Sequence, residues 1–155
     1  MNDDYNHEGH DDLEGHESAA LRNYSMRNIS PLSFAAERAM TEVIGSAIAV
    51  HRALGPGFLE SIYRKAMRIE LEARGLAFEC ERPITFRCHE VEIPGQRLDL
   101  IVEGLIAVEL KAVVRLDEVH RAQLVSYLRT TGLRGGLLIN FRVPVLKLGL
   151  RRVVL

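Results

Sequence analysis

The run Ile106-Ala107-Val108-Glu109-Leu110-Lys111-Ala112 is apolar enough for a buried strand, yet it carries two opposite charges. In a strand, residues i and i+2 point the same way, so Glu109 and Lys111 share one face while Val108 and Leu110 take the other. The preceding segment, Arg97 to Val102, repeats the pattern. Leu98, Leu100 and Val102 are expected on the core face with Val108 and Leu110, and Asp99 stands alone among apolar neighbours. Isolated charges buried on adjacent strands are costly unless they pair or bind a cation. Two carboxylates and a lysine around Mg2+ would meet that cost: hard oxygens of Asp99 and Glu109 hold the cation, and Lys111 orients or deprotonates a water made more acidic by it. An ion pair satisfied within the sheet would meet it too, and charge spacing alone leaves both open.

Sharing a cation requires Asp99 to lie opposite Glu109 in an antiparallel hairpin. That register needs a three-residue Glu103-Gly104-Leu105 connection, with Gly104 or a neighbour at positive φ. A two-residue Glu103-Gly104 turn would instead set Glu109 opposite Leu98 and turn Asp99 to the wrong side.

Around this hairpin the periodicities change along the chain. From about Leu32 to Leu54, Val43, Ile44, Ala47, Ile48 and Leu54 recur at helical spacing, and Gly55-Pro56-Gly57 ends the run. A second helix follows, with Leu59, Ile62, Tyr63, Ala66, Ile69 and Ala73 as its expected buried stripe and Gly75 as its stop. Short strands are expected at Leu76 to Cys80, Ile84 to Cys88, Arg97 to Val102 and Ile106 to Ala112, separated by Pro83, Pro94-Gly95 and Gly104. A helix from about Glu118 to Thr130, capped by Asp117, leads to a wholly apolar strand, Gly136 to Phe141, and a last strand, Leu150 to Leu155. The expected fold class is α/β, with a mixed α+β sheet covered by helices on both faces.

Five other polar residues stand on helices. Glu60 shares a face with Tyr63 and Met67; it would complete a cation site or, more simply, stabilise the helix macrodipole from the first turn. His120, Gln123 and Tyr127 share one face of the third helix, a spacing also met in surface hydrogen bonders. His51 reads as a helix-end residue.

In order, Asp99, Glu109-Leu110-Lys111 and Gln123-x-x-x-Tyr127, with Glu60 upstream, resemble the RecB-like branch of the PD-(D/E)XK nuclease superfamily. Gly57-x-x-Glu60-x-x-Tyr63, with the Gly136 to Phe141 strand, is similar to the small bacterial GxxExxY proteins, over roughly Met40 to Leu155. The resemblance implies a restriction-endonuclease-like αβββαβ core with an extra N-terminal helix, and Mg2+-dependent hydrolysis of nucleic-acid phosphodiesters, Mn2+ serving as a substitute. It implies that Asp99, Glu109, Glu60 and the Leu110 carbonyl ligate the metal. Lys111 becomes the catalytic lysine, and Gln123 and Tyr127 the supporting helix motif. Leu98 stands where the superfamily name has proline. DNA is the implied substrate, with a homodimer or larger complex as a further expectation. A non-catalytic nucleic-acid- or protein-binding module on the same fold is the alternative.

Composition agrees with one packed domain. The 155 residues are 47% hydrophobic and 26% charged, an ordinary globular balance. Residues 1–25 hold seven acids against Arg22, leaving 19 bases and 14 acids in the remainder, a mild basic bias. Residues 1–29, with His7, His10 and His16, read as a flexible tail, and 30–155 as the nuclease-like domain. Cys80 and Cys88 match neither a zinc site nor a Cys-x-x-Cys motif, so they read as reduced thiols. No apolar run reaches the ~20 residues of a membrane span, and a cytoplasmic location is expected. Phosphate-loop, Gly-x-Ser-x-Gly and His-Glu-x-x-His motifs are lacking.

Overall fold

Ser33 starts the first helix, its Oγ accepting the Ala36 N–H at 3.2 Å, in a computed structural model that describes residues 30–155. The expected tail over residues 1–29 lies outside the described residues. Helix α1, Phe34–Leu54, buries Ala36, Met40, Val43, Ala47 and Val50 and ends at Gly55, whose φ of 70° a side chain would strain. Helix α2 spans Glu60–Ala73. Its buried stripe is Tyr63, Met67 and Leu71; of the stripe the sequence suggests, Tyr63 is buried and Ala66 half-buried against the core, while Leu59, Ile62, Ile69 and Ala73 are exposed. The rotation is set by Tyr63. Its ring stacks on Phe141, centroids 4.4 Å apart, and its hydroxyl donates to the Gly55 carbonyl at 2.7 Å while accepting the Phe58 N–H at 3.2 Å. That one side chain therefore sets the loop and the face α2 turns inward.

Strands β1, Phe78–Cys88, β2, Val91–Val102, and β3, Ile106–Lys111, form an antiparallel meander; helix α3, Glu118–Thr131, crosses to β4, Gly135–Asn140, parallel to β3. A short helix α4, Leu146–Gly149, that the sequence did not suggest precedes β5, Leu150–Val154, which pairs antiparallel with β4. Strand order is β1-β2-β3-β4-β5. This is the restriction-endonuclease-like core with an added first helix. The helices α1 and α2 cover one face, packing on Leu100, Val108, Leu110 and Ile139; α3 covers the other, on Ile101, Ala107 and Leu138.

Pro83 and Pro94-Gly95, expected to separate short strands, lie inside long ones. Pro83 is on the edge strand β1, where a missing N–H costs no ladder bond, and Pro94 lies in the part of β2 beyond β3. The register steps between Pro83↔Arg97 and Thr85↔Pro94, so Gly95 and Gln96 together oppose Ile84 in a β-bulge. Only glycine fits there, since a Cβ on Gly95 would sit 2.3 Å from the Phe86 ring and 2.6 Å from the Ile84 carbonyl oxygen.

The hairpin register is Leu100↔Val108, Ile101↔Ala107 and Val102↔Ile106. Glu103-Gly104-Leu105 is thus a three-residue connection, with Glu103 at φ 55° and Gly104 at φ 65°. Leu98 departs from expectation: it packs with Ile101 on the α3 side rather than with Leu100 and Val102. Side-chain alternation therefore breaks between Leu98 and Leu100, at Asp99.

Candidate active site

Beyond Leu100↔Val108 the β2–β3 ladder stops, and the Asp99 carboxylate enters the opening. Its Oδ2 accepts the N–H of Leu110 at 2.8 Å, in place of a backbone partner. On the other edge of β3, Phe141 donates its N–H to the Lys111 carbonyl at 2.9 Å. Backbone groups alternate sides along a strand, so the Leu110 carbonyl faces the opening with its N–H.

Glu109 follows Ala107 on the α3 side of the sheet and is buried at 3% exposure. One of its oxygens, Oε1, accepts from Lys111 Nζ at 2.6 Å; the other, Oε2, is buried with no hydrogen-bond partner. Burial and the charge of Asp99 push the Glu109 carboxyl up to about 7, against the opposing pull of Lys111, and Glu60 adds to the rise. For Lys111, burial works to lower the pKa but is outweighed by the hydrogen bond and charge of Glu109 together with Glu60 and Asp99, and the net shift is upward. Lys111 is therefore an ammonium at neutral pH.

From α2, Glu60 stands at the same opening, half-buried, and pairs with Arg64 at 3.2 Å. Arg64 reaches farther, with Nε 2.7 Å from Asp99 Oδ1 and a terminal nitrogen 3.6 Å from Glu81. Tyr127 closes the α3 side. Burial raises its hydroxyl pKa, a hydrogen bond from Gln123 opposes this, and the charge of Glu109 also raises it. Gln123 donates to the Tyr127 hydroxyl at 2.7 Å and to Gln96 Oε1, to which Tyr127 donates at 3.1 Å.

Glu60, Asp99, Glu109, Lys111 and Tyr127 thus meet at one end of the sheet, with Gln123 held through Tyr127. His120 is not among them; its Nδ1 accepts the Asp117 N–H at 3.0 Å, capping α3. His51 bonds the Val143 carbonyl at 2.8 Å from the end of α1.

Three residues that the sequence reading did not single out belong to the surroundings. Gln96 is turned toward α3 by the bulge, and its only trace in the sequence is the Pro94-Gly95 pair before it. Asn140 bonds the N–H and carbonyl of Val113 at 3.1 and 2.8 Å, fixing the chain as it leaves Lys111. Arg64 gave no signal, because an arginine on a helix surface is ordinary.

The donors at this opening suit a hard divalent cation: two buried carboxylates, one with an orphaned oxygen, and a main-chain carbonyl. Among the described residues no three acidic, histidine or cysteine side chains are gathered as a ready ligand set. Each acid already faces a cation of the protein, Arg64 against Asp99 and Glu60, Lys111 against Glu109. One surface cleft, lined by Phe34, Arg38, Arg74, Glu103 and Leu105, lies at the turn end of the β2–β3 hairpin, away from this chemistry. A smaller one, lined by Gly57, Phe58, Glu60, Ala112 and Arg142, opens beside Glu60.

Residues 37–153 match the sequence profile of the PD-(D/E)XK nuclease superfamily. The chain belongs to that superfamily. No curated protein and no solved structure matches it. Membership accounts for the mixed sheet between helices and suggests a metal-dependent nuclease acting on nucleic acid. No helix among the described residues is long and apolar enough to cross a membrane.

Proposed function

We propose that the chain is a Mg2+-dependent nuclease of the GxxExxY group, in the RecB-like branch, cleaving phosphodiester bonds of nucleic acid, with DNA as the substrate. The observation that carries this reading is the buried Asp99–Glu109 pair at the breach in the sheet, with Glu109 Oε2 unpartnered and Lys111 alongside. Asp99, Glu109, the Leu110 carbonyl and Glu60 would hold the cation. When bound, a divalent cation supplies charge neutralisation at a phosphoryl oxygen and easier ionisation of water. Lys111, kept protonated by its carboxylate neighbours, acts as a donor that orients water and steadies the anionic phosphate. Gln96, Gln123 and Tyr127 hold one another rigid on the α3 side, which fixes the wall against which Lys111 works.

The test is cleavage of labelled single- and double-stranded DNA and RNA by purified protein with Mg2+ or Mn2+, beside Lys111→Ala. Metal-dependent products absent from the Lys111→Ala reaction are expected. Failure on all four substrates, or equal cleavage by the variant, would overturn the proposal.

A further inference from the structure

Arg64 makes more charged contacts at the opening than any function assigned above uses. Its guanidinium lies against three carboxylates from three elements: Asp99 on β2 at 2.7 Å, Glu60 on α2 at 3.2 Å and Glu81 on β1 at 3.6 Å. Both Asp99 oxygens are engaged, since Oδ2 accepts the Leu110 N–H and Oδ1 faces Arg64. Arginine keeps its charge at any working pH, so it cannot leave this contact by losing a proton. A second cation approaching Asp99 Oδ1 meets the charge of Arg64 at 2.7 Å and competes with it for that oxygen.

Two features make displacement feasible. The Nε of Arg64 is buried beside Asp99 without the alignment of a hydrogen bond, so the contact is coulombic and lacks the directional strength of a fork-to-fork pair. Glu81 offers a second anchor. The register Cys80↔Leu100 and Arg82↔Leu98 leaves Glu81 opposite Asp99 on the edge strand, at φ 50°, with its side chain about half exposed. Sliding toward Glu81 would keep the guanidinium paired while freeing Oδ1.

We propose that Arg64 is a built-in counter-cation that takes the place of a divalent metal at Asp99 and sets the affinity of the site by competing with it. The inference rests on the metal-site reading above. It offsets part of the acid charge in the metal-free protein: without Arg64, Lys111 would be the one cation among the described residues paired with these acids. Divalent binding is then an exchange of one cation for another, weaker than the acids alone would give.

The experiment is calorimetric titration of the metal-free full chain with Mn2+, comparing the native protein with Arg64→Met, Arg64→Lys and Asp99→Asn. Near-ultraviolet circular dichroism checks that each is folded. Arg64→Met should bind Mn2+ roughly tenfold more tightly, the scale of one partly buried ion pair removed from competition. Arg64→Lys should fall between, since an ammonium cannot span the three acids, and it decides the matter alone if Arg64→Met does not fold. Asp99→Asn should abolish binding. Unchanged or weaker Mn2+ binding in Arg64→Met and Arg64→Lys, with Asp99-dependent binding intact, overturns the competition and leaves the metal site standing. No Asp99-dependent binding in any form overturns both.

Discussion

The Asp99 carboxylate accepts the Leu110 N–H at 2.8 Å, a side chain standing in for the backbone partner that β3 loses where β2 turns away. The same contact fixes the acid beside Glu109 and keeps the strands apart, so the site and the end of the ladder have one cause. Two substitutions separate these roles. Asp99→Asn keeps an acceptor for Leu110 and removes the charge; it should abolish metal-dependent cleavage and remain folded. Asp99→Ala also leaves a buried N–H unsatisfied, which costs about 1–3 kcal/mol. Urea unfolding should therefore show Asp99→Ala less stable than Asp99→Asn. Equal stability would mean that the Leu110 contact carries no structural weight.

Tyr63 is the second anchor. Its hydroxyl holds both Gly55 and Phe58, and thereby the loop that leads to Glu60. Tyr63→Phe keeps the stacking on Phe141 and removes both bonds. A loss of about 1–2 kcal/mol is expected by chemical denaturation, with a fall in nuclease activity larger than in Ile69→Ala, a change on the exposed side of the same helix. Activity equal to the native protein's would detach the loop from the site.

The three-residue turn at Glu103-Gly104-Leu105 and the register it sets were legible, but the break in alternation at Asp99 was not. It puts Leu98 on the α3 side and ends the ladder at Leu100↔Val108, before Asp99 and Glu109 can pair. The surroundings were less legible. Pro83 and Pro94 read as strand breaks because a proline denies a ladder bond only to a neighbour that is present, and which strand lies at the edge is a property of the sheet. The stripe of α2 is only partly legible, since Leu59, Ile62 and Ile69 are as apolar as Met67 and Leu71; the choice is made by Tyr63 on Phe141, a contact 78 positions apart in sequence. Arg64 and Gln96 became visible only when helix and bulge brought them to the acids.

Gly95 is where this hidden geometry can be probed. A Cβ there would meet both the Phe86 ring and the Ile84 carbonyl too closely, so ring and backbone must both give way. Gly95→Ala should cost about 1–3 kcal/mol, as overpacking does. It should also shift Gln96 away from Tyr127 and Gln123, and so lower cleavage, while Gln96→Ala should lower cleavage with little loss of stability. Measured side by side, unimpaired cleavage in Gln96→Ala would remove the bulge from the catalytic argument.

The buried Glu109 makes stability depend on pH in a direction that can be worked out. Its carboxyl titrates near 7 in the folded protein, against an ordinary value of 4.5. Below about pH 4.5 the group is protonated in both states and costs nothing. Between there and pH 7 the unfolded chain releases its proton first, while the folded chain retains it. Stability therefore falls as pH rises through this window, because the native state binds more protons. Above it the full cost of ionising a buried acid is present, on the order of 3 kcal/mol from the size of the shift. In Glu109→Gln that slope is absent. Its absolute stability also changes through loss of the Lys111 pair, so the quantity to compare is the pH dependence. The stability difference between native protein and Glu109→Gln, measured without metal from pH 4.5 to 8, should move steadily in favour of the variant. Saturating Mg2+ should shrink that trend, since a cation at Glu109 favours the ionised form. A pH-independent difference would show that Glu109 titrates alike in the folded and unfolded chain, its burial offset by Lys111 alone, and would return the pair to an ordinary ion pair within the sheet.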